Sequence, residues 1–235
     1  ILAAKELALF KKYIQKRIEG FSAAAIIGKK EFMGLTLKVN EQVLIPRPDT
    51  ETWLEKVIQY YRNETGLKVA DLGTGSGAIL VGFLYYCRDA VGVGVDISTE
   101  ALKIAEENGQ NLKITDRVEW RQGDYLKAFD EEDIFDGIFS NPPYIPTKDI
   151  GGLSREVKHE PRLALDGGTD GLYFYHLLAK GAAEHLKPGG FLAVEFGIGQ
   201  ATDILEMFRK SAQYEDFEVI KDYGGIERAL YCRKK

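Results

Sequence analysis

Apolar residues recur at different periods along this chain, and the period changes near residue 67. Before that point, Leu2, Leu7, Phe10, Ile14 and Ile18 recur at helical spacing among Lys and Glu, which predicts a helix over residues 1–19. Gly20 is its natural stop. Residues 33–39 and 42–45 read as two short strands joined by Asn40-Glu41, a β-hairpin. Pro46-Arg47-Pro48 interrupts regular structure. Asp49 or Thr50 is placed to cap a helix over residues 51–61, whose Trp53, Leu54, Val57 and Ile58 form one apolar face.

After residue 67 strand and helix patterns alternate. Strands are predicted over residues 68–72, 90–95, 118–122, 134–139, 191–195, 217–221 and 229–233. Helices are predicted over 78–86, 99–108 (capped by Ser98), 171–185 (ended by Lys187-Pro188-Gly189-Gly190) and 201–212. Such alternation implies an α/β fold, a doubly wound and mostly parallel seven-stranded sheet with helices on both faces. The link between the last two strands is too short for a helical crossover, so the last strand should run antiparallel. The helix and hairpin before residue 46 form an appendage. Residues 142–171 show little periodicity, and a loop of that length in a compact domain is usually functional.

Composition narrows the class. The 235 residues, 45% hydrophobic and 29% charged, suffice for one sizeable core. A net charge of −5 argues against nucleic acid as the main partner. Cys87 and Cys232 stand far apart and make no disulfide framework, which points to a reduced, cytoplasmic setting, with Cys87 in the core. No apolar run has the ~18 residues needed to span a bilayer, so no membrane association is expected. His159, His176 and His185 lie at no metal-ligand spacing, and no metal site is expected. Glu131-Glu132-Asp133 reads as a solvated loop.

Chemistry concentrates after two strands. Asp71-Leu72-Gly73-Thr74-Gly75-Ser76-Gly77 closes one of them, and its glycines permit a tight turn and close backbone approach at a helix N-terminus. Asp96 ends the next strand, where a carboxylate can accept both ribose hydroxyls of an adenosine. The loop alone suits a nicotinamide dinucleotide as well as S-adenosylmethionine (SAM). Asn141-Pro142-Pro143-Tyr144 decides between them. An amide or exocyclic amine nitrogen is a poor nucleophile because its lone pair is delocalised. The Asn141 side-chain carbonyl and the Pro142 backbone carbonyl can accept both of its N–H protons and stabilise the positive charge that develops on methylation. The prolines preorganise these acceptors, and Tyr144 offers a flat face to a planar substrate. Hydride transfer has no use for such a site.

These segments resemble the class I SAM-dependent methyltransferases and, more narrowly, the HemK/PrmC family, which methylates the glutamine of the Gly-Gly-Gln motif in class-1 peptide chain release factors. The resemblance covers nearly the whole chain. It is carried by Leu44-Ile45-Pro46-Arg47-Pro48-Asp49-Thr50-Glu51, by Asp71 to Ile79, by Ser140-Asn141-Pro142-Pro143-Tyr144-Ile145, and by Glu160-Pro161, Ala164-Leu165 and Gly167-Gly168-x-Asp170-Gly171-Leu172. It implies a Rossmann-like fold, SAM as cofactor and a release factor as protein substrate. Gly73, Thr74, Gly75, Ser76, Gly77, Asp96 and Asn141 would hold SAM. Tyr125 takes the position of the aromatic beside the adenine. Asn141, Pro142, Pro143 and Tyr144 would grip the glutamine, with Asn141, Pro142 and Tyr144 acting in catalysis. Arg47 and Glu51 either line the mouth of the site or pair with each other. Glu195 reads as a structural hydrogen-bonding group near the cleft. The chain does not begin with Met, and residues 1–30 read as the remnant of an N-terminal helical domain and linker, ahead of a methyltransferase domain over 31–235. Three rivals remain: methylation of a nucleic-acid amino group, methylation of a ribosomal-protein glutamine, and a SAM-fold binding module without activity.

Overall fold

The computed structural model describes residues 3–235. Leu2, the first apolar position of the predicted N-terminal helix, lies outside that range. Helix α1 (Ala4–Glu19) ends at Gly20, which takes a left-handed φ of 106° as the stop requires. A short helix α2 (Ala23–Ile27), capped by the Ser22 side chain, was not legible in the pattern.

The hairpin lies earlier than expected. Its strands are β1 (Lys29–Phe32) and β2 (Leu35–Lys38), turning at Met33-Gly34. Both turn residues have positive φ, 52° and 72°, the geometry that matches strand twist in a two-residue hairpin loop. Residues 42–45 form no strand. Val43 and Ile45 are buried against Ala101 and Ile104, and the Ile45 N–H donates to the Glu160 carboxylate (3.3 Å) in place of a ladder partner. Helix α3 (Pro48–Tyr61) also starts earlier, with Pro48 inside its first turn and Arg47 at the cap. Proline fits there because the first N–H of a helix has no partner to lose.

From residue 68 the alternation is as predicted: β3 (Lys68–Leu72), α4 (Ala78–Tyr86), β4 (Val91–Asp96), α5 (Thr99–Asn111), β5 (Val118–Gln122), β6 (Phe135–Ser140), α6 (Tyr173–Gly181), β7 (Leu186–Glu195), α7 (Ala201–Lys210), β8 (Tyr214–Lys221) and β9 (Glu227–Lys234). Ser98 caps α5 by accepting from the Ala101 N–H. The seven strands are ordered β5-β4-β3-β6-β7-β9-β8. All neighbours are parallel except β9, which runs antiparallel to β7 and β8. Strand β7 begins before the predicted 191, so Lys187-Pro188-Gly189-Gly190 lies within its span, at a register shift against β6.

Two apolar layers sandwich the sheet. Trp53 and Leu54 of α3 pack with Leu80 and Phe83 of α4 on one face, and Tyr175 and Leu178 of α6 with Ile204 and Phe208 of α7 on the other. Strand order reverses between β3 and β6, and in open α/β sheets ligands bind outside the carboxyl ends of the strands at that reversal. The Gly73–Gly77 loop leaves β3 there, and Asn141 leaves β6 beside it.

Candidate active site

The glycine loop is tied to both neighbouring strands. Gly73 and Thr74 N–H groups both donate to the Val95 carbonyl at 2.9 Å. Thr74 Oγ1 donates to Asp71 Oδ2 (2.6 Å). Gly73, Gly75 and Gly77 have φ of 72°, 56° and 79°, and a Cβ on Gly77 would lie 3.0 Å from the Trp120 ring. The turn therefore needs glycine on both conformational and steric grounds. Asp96, at the end of β4, accepts from the Gly75 N–H (2.8 Å) and the Ser98 N–H (2.9 Å). Burial raises its carboxyl pKa. Burial acts more strongly on Asp71, pushed up to about 7, whose Oδ1 has no hydrogen-bond partner among the described residues.

A cavity of about 410 Å³ opens beside this loop, lined among others by Gly73, Gly75, Asp96, Tyr125, Asn141 and Phe174. Its size is that of a small-molecule site. Tyr125 sits with φ of 52°, its hydroxyl 3.2 Å from Ser140 Oγ and its ring 4.6 Å from Phe174. A smaller recess joins Thr74, Ser76 and Asn141 to Arg47 and Thr50. Six of the seven residues expected to hold a cofactor, and Tyr125, line one or other of these two cavities; Gly77 instead packs against Trp120 and Ala105.

Asn141 follows the last residue of β6. Its Oδ1 is buried and, like Asp71 Oδ1, accepts no hydrogen bond among the described residues. Buried polar atoms are almost always paired, so an orphan on a residue that lines a cavity is an acceptor with hydrogen-bonding capacity left over. The next residues are clamped from outside. The Tyr144 carbonyl accepts from Gln200 Nε2 (3.0 Å), and Gln200 Oε1 accepts from the Gly197 N–H (2.8 Å). Ile145 N–H donates to the Leu165 carbonyl (3.0 Å), and Gly167 N–H to the Ile145 carbonyl (2.9 Å). Gly167 and Gly171 press on this backbone: an added Cβ would lie 2.7 Å from the Pro143 oxygen and 2.3 Å from the Tyr144 oxygen respectively. That contact explains Gly167 and Gly171, while Gly168 is favoured by its φ of 89°. Burial pushes the Tyr144 hydroxyl up to about 12, so it stays protonated.

The Pro46-Arg47-Pro48 segment closes the other side. Arg47 pairs with Glu160 at 2.6 Å, so the expected alternative of an Arg47–Glu51 pair does not form. Arg47 lines a pocket of about 200 Å³ with Asn141 and Tyr144. Glu51 instead faces a separate groove with Pro48, Glu55 and Tyr223. Its i,i+4 spacing from Arg47 put the pair in reach, but α3 already begins at Pro48 and turns Glu51 away from the cleft. Thr50, expected as a helix cap but lying inside α3, and Trp53, expected only as an apolar packing residue, both donate to Glu195 Oε2, at 2.6 and 2.7 Å. Glu195 is 2% exposed; burial raises its carboxyl pKa, and the Thr50 and Trp53 donors oppose that rise. Its expected structural bonding is present. Gln200 was missed; a polar residue directly before α7, following two glycines, was its only signal.

Other polar residues have local roles. His159 Nε2 lies 2.9 Å from the Glu19 carbonyl and its ring stacks on Phe21, while His185 Nδ1 meets the Asp133 carbonyl at 3.0 Å. Asp133 is not solvated as expected: it is 8% exposed and pairs with Arg121, which holds its carboxyl below the usual range against the opposing effect of burial. Cys87 is buried, its thiol pushed up to about 11. No helix among the described residues is long and apolar enough to cross a membrane.

The family described as a methyltransferase domain matches residues 63–213. The release factor glutamine methyltransferase of Bradyrhizobium diazoefficiens is 42% identical over 238 residues, covering all of this chain and 80% of that protein. The chain belongs to the release factor glutamine methyltransferase family. A second member, from Moorella thermoacetica, is 40% identical over all of this chain and 82% of its own length. A methyltransferase from Pyrococcus furiosus, 20% identical, has the same fold over 99% of each chain with a TM-score of 0.61. As a release factor glutamine methyltransferase family member, the chain is a methyltransferase, and the glycine loop, Asp96 and the Asn141–Tyr144 segment all fall within residues 63–213.

Proposed function

We propose that this protein transfers the methyl group of SAM to the side-chain amide nitrogen of the glutamine in the Gly-Gly-Gln motif of class-1 peptide chain release factors. When bound, SAM supplies an electrophilic methyl. Asp96 would take the ribose hydroxyls, the Gly73–Gly77 backbone the remainder of the cofactor, and Tyr125 the adenine face.

The observation that carries the reading is the unpartnered, buried Asn141 Oδ1 beside that cavity. Together with the Pro142 carbonyl it can accept both protons of a primary amide, aligning the nitrogen lone pair and stabilising the charge that grows on it. Held rigid by Gln200, Gly167 and Gly171, the acceptors need no reorganisation during transfer. Tyr144, neutral at working pH, would flank the amide plane, and Arg47 would line the approach. A strong base is unnecessary, because the proton leaves after the methyl arrives.

Two glycines before the target would let a backbone enter the narrow cleft without Cβ clashes. Helix α1 buries none of its side chains, and its exposed Leu7, Phe10, Ile14 and Ile18 would belong to a helical N-terminal segment, joined by a linker to the methyltransferase domain, that helps grip the release factor. The partner implies a cytoplasmic protein, without nucleic acid as a direct substrate.

The test is incubation with SAM and purified release factor, ribosomal protein or RNA, followed by mass mapping of the added mass, about 14 Da (CH₃ in place of H, a net gain of CH₂). Methyl on the Gly-Gly-Gln glutamine supports the reading. Methyl on a ribosomal-protein glutamine or on RNA, with release factor untouched, transfers the assignment to that substrate, and no transfer at all favours a binding module.

A further inference from the structure

An asparagine side chain has two ends of nearly the same shape, one accepting and one donating. If Asn141 is to receive a substrate NH₂, something must keep its oxygen toward the cleft. Turned by 180°, it would present its own NH₂ to the substrate and repel it.

We propose that Glu195 is a positioning residue that makes this choice: its carboxylate takes the Asn141 NH₂ and so commits Asn141 Oδ1 to the substrate. The inference rests on the reading of Asn141 given above and deepens it. Val194 is the register partner of Ser140 across the parallel β6–β7 pair, so Glu195 and Asn141 follow side by side where the two strands end. A carboxylate can only accept, so it selects the donating end of the amide. The Asn141 side chain is close enough to be among the groups that oppose the burial-driven rise of the Glu195 pKa, while Asn141 Oδ1 accepts no hydrogen bond among the described residues, as this requires.

The carboxylate is itself held. Thr50 Oγ1 and Trp53 Nε1 donate to its Oε2, and the Tyr175 hydroxyl donates to the Glu195 backbone carbonyl (2.9 Å). Both carboxylate donors stand on α3, the helix that Pro46-Arg47-Pro48 starts. The conformation of that segment therefore reaches the substrate amide through Glu195 as well as through Arg47. A glutamine at 195 could not do the same work. With its one oxygen kept by Thr50 and Trp53, its NH₂ would face the NH₂ of Asn141 and favour the flipped orientation.

The test compares Glu195→Gln, Asn141→Ala and the double variant in the full chain. The readouts are kcat and KM for release factor at saturating SAM, SAM affinity by calorimetry, and Tm. Glu195→Gln should lower kcat by ~10-fold or more, the scale of a misaligned preorganised group, with SAM affinity and Tm near wild type. The double variant should be no slower than Asn141→Ala within ~2-fold, because residues acting through one another are not additive. Should Glu195→Gln prove unstable, Trp53→Phe removes one anchor and should slow turnover with the same lack of further loss on Asn141→Ala. A wild-type rate in the stable Glu195→Gln variant, alongside an inactive Asn141→Ala, overturns the positioning role and leaves the Asn141 reading standing. Losses that multiply in the double variant also overturn it. An active Asn141→Ala overturns the Asn141 reading itself.

Discussion

Asp96→Asn separates cofactor recognition from fold stability. The wild-type carboxylate accepts two backbone N–H groups, from Gly75 at 2.8 Å and Ser98 at 2.9 Å, and in the proposed complex the ribose hydroxyls as well. The amide keeps one acceptor and turns an NH₂ toward a group that also donates. One charge-assisted hydrogen bond is thereby lost, worth ~1.5–3 kcal/mol, or about 10–150-fold in SAM affinity. Fold stability should respond less. Burial raises the Asp96 pKa, so the native protein already carries a desolvation cost that the neutral amide relieves. This offsets part of the lost bond, and the net change should stay within ~1.5 kcal/mol. Calorimetric titration with SAM and with S-adenosylhomocysteine measures the first quantity, and urea unfolding of the free protein the second. SAM affinity within about twofold of wild type would refute the role of Asp96.

Three further outcomes follow from the same geometry. Asn141→Ala should cost on the order of a hundredfold in turnover and leave SAM affinity within a few fold, measured by labelled methyl transfer and calorimetry. Gly171→Ala places a Cβ 2.3 Å from the Tyr144 oxygen at a φ of 78°, so unfolding experiments should show a loss of ~2–4 kcal/mol, with turnover reduced as the Tyr144 backbone shifts. The Asp71 pKa is raised from 3.8 to about 7, so the native state binds its proton more tightly than the unfolded state; this group's contribution to stability falls as pH rises through that window and is constant above it. Asp71→Asn keeps an acceptor for Thr74 Oγ1 and should therefore be more stable than wild type at pH ~8 and show a flatter dependence between ~4 and ~7, read from urea unfolding at several pH values; a variant less stable at pH ~8 would contradict this.

The sheet's seven strands, the four helices between them and the Ser98 cap were legible because each depends on residues within a few positions of one another. Periodicity of Val, Ile and Leu sets an element, and its neighbours cap it. The two motifs were legible for a related reason. Gly73–Gly77 and Asn141–Tyr144 are contiguous, and each follows a strand whose direction places it at the carboxyl edge of the sheet. The hairpin was misplaced because Asn40-Glu41 and Met33-Gly34 are both plausible turns locally. Burial of Val43 and Ile45 against α5, and the capture of the Ile45 N–H by Glu160, decided between them.

What the sequence by itself determined was the doubly wound order of elements and the chemistry of two short segments. What only the tertiary structure decided was which distant polar groups complete them. Arg47 meets Glu160 across 113 residues, and Thr50 meets Glu195 across 145. Asp133 is buried against Arg121 although its neighbours Glu131 and Glu132 are exposed. No local period encodes such pairs. A buried donor or acceptor costs free energy until it is satisfied, and the partner it finds is whichever group the packed helices and strands bring within about 3 Å. Among the described residues Asn141 Oδ1 and Asp71 Oδ1 stay unpaired, and such orphans are visible only once the fold has shown which partners the other buried groups find.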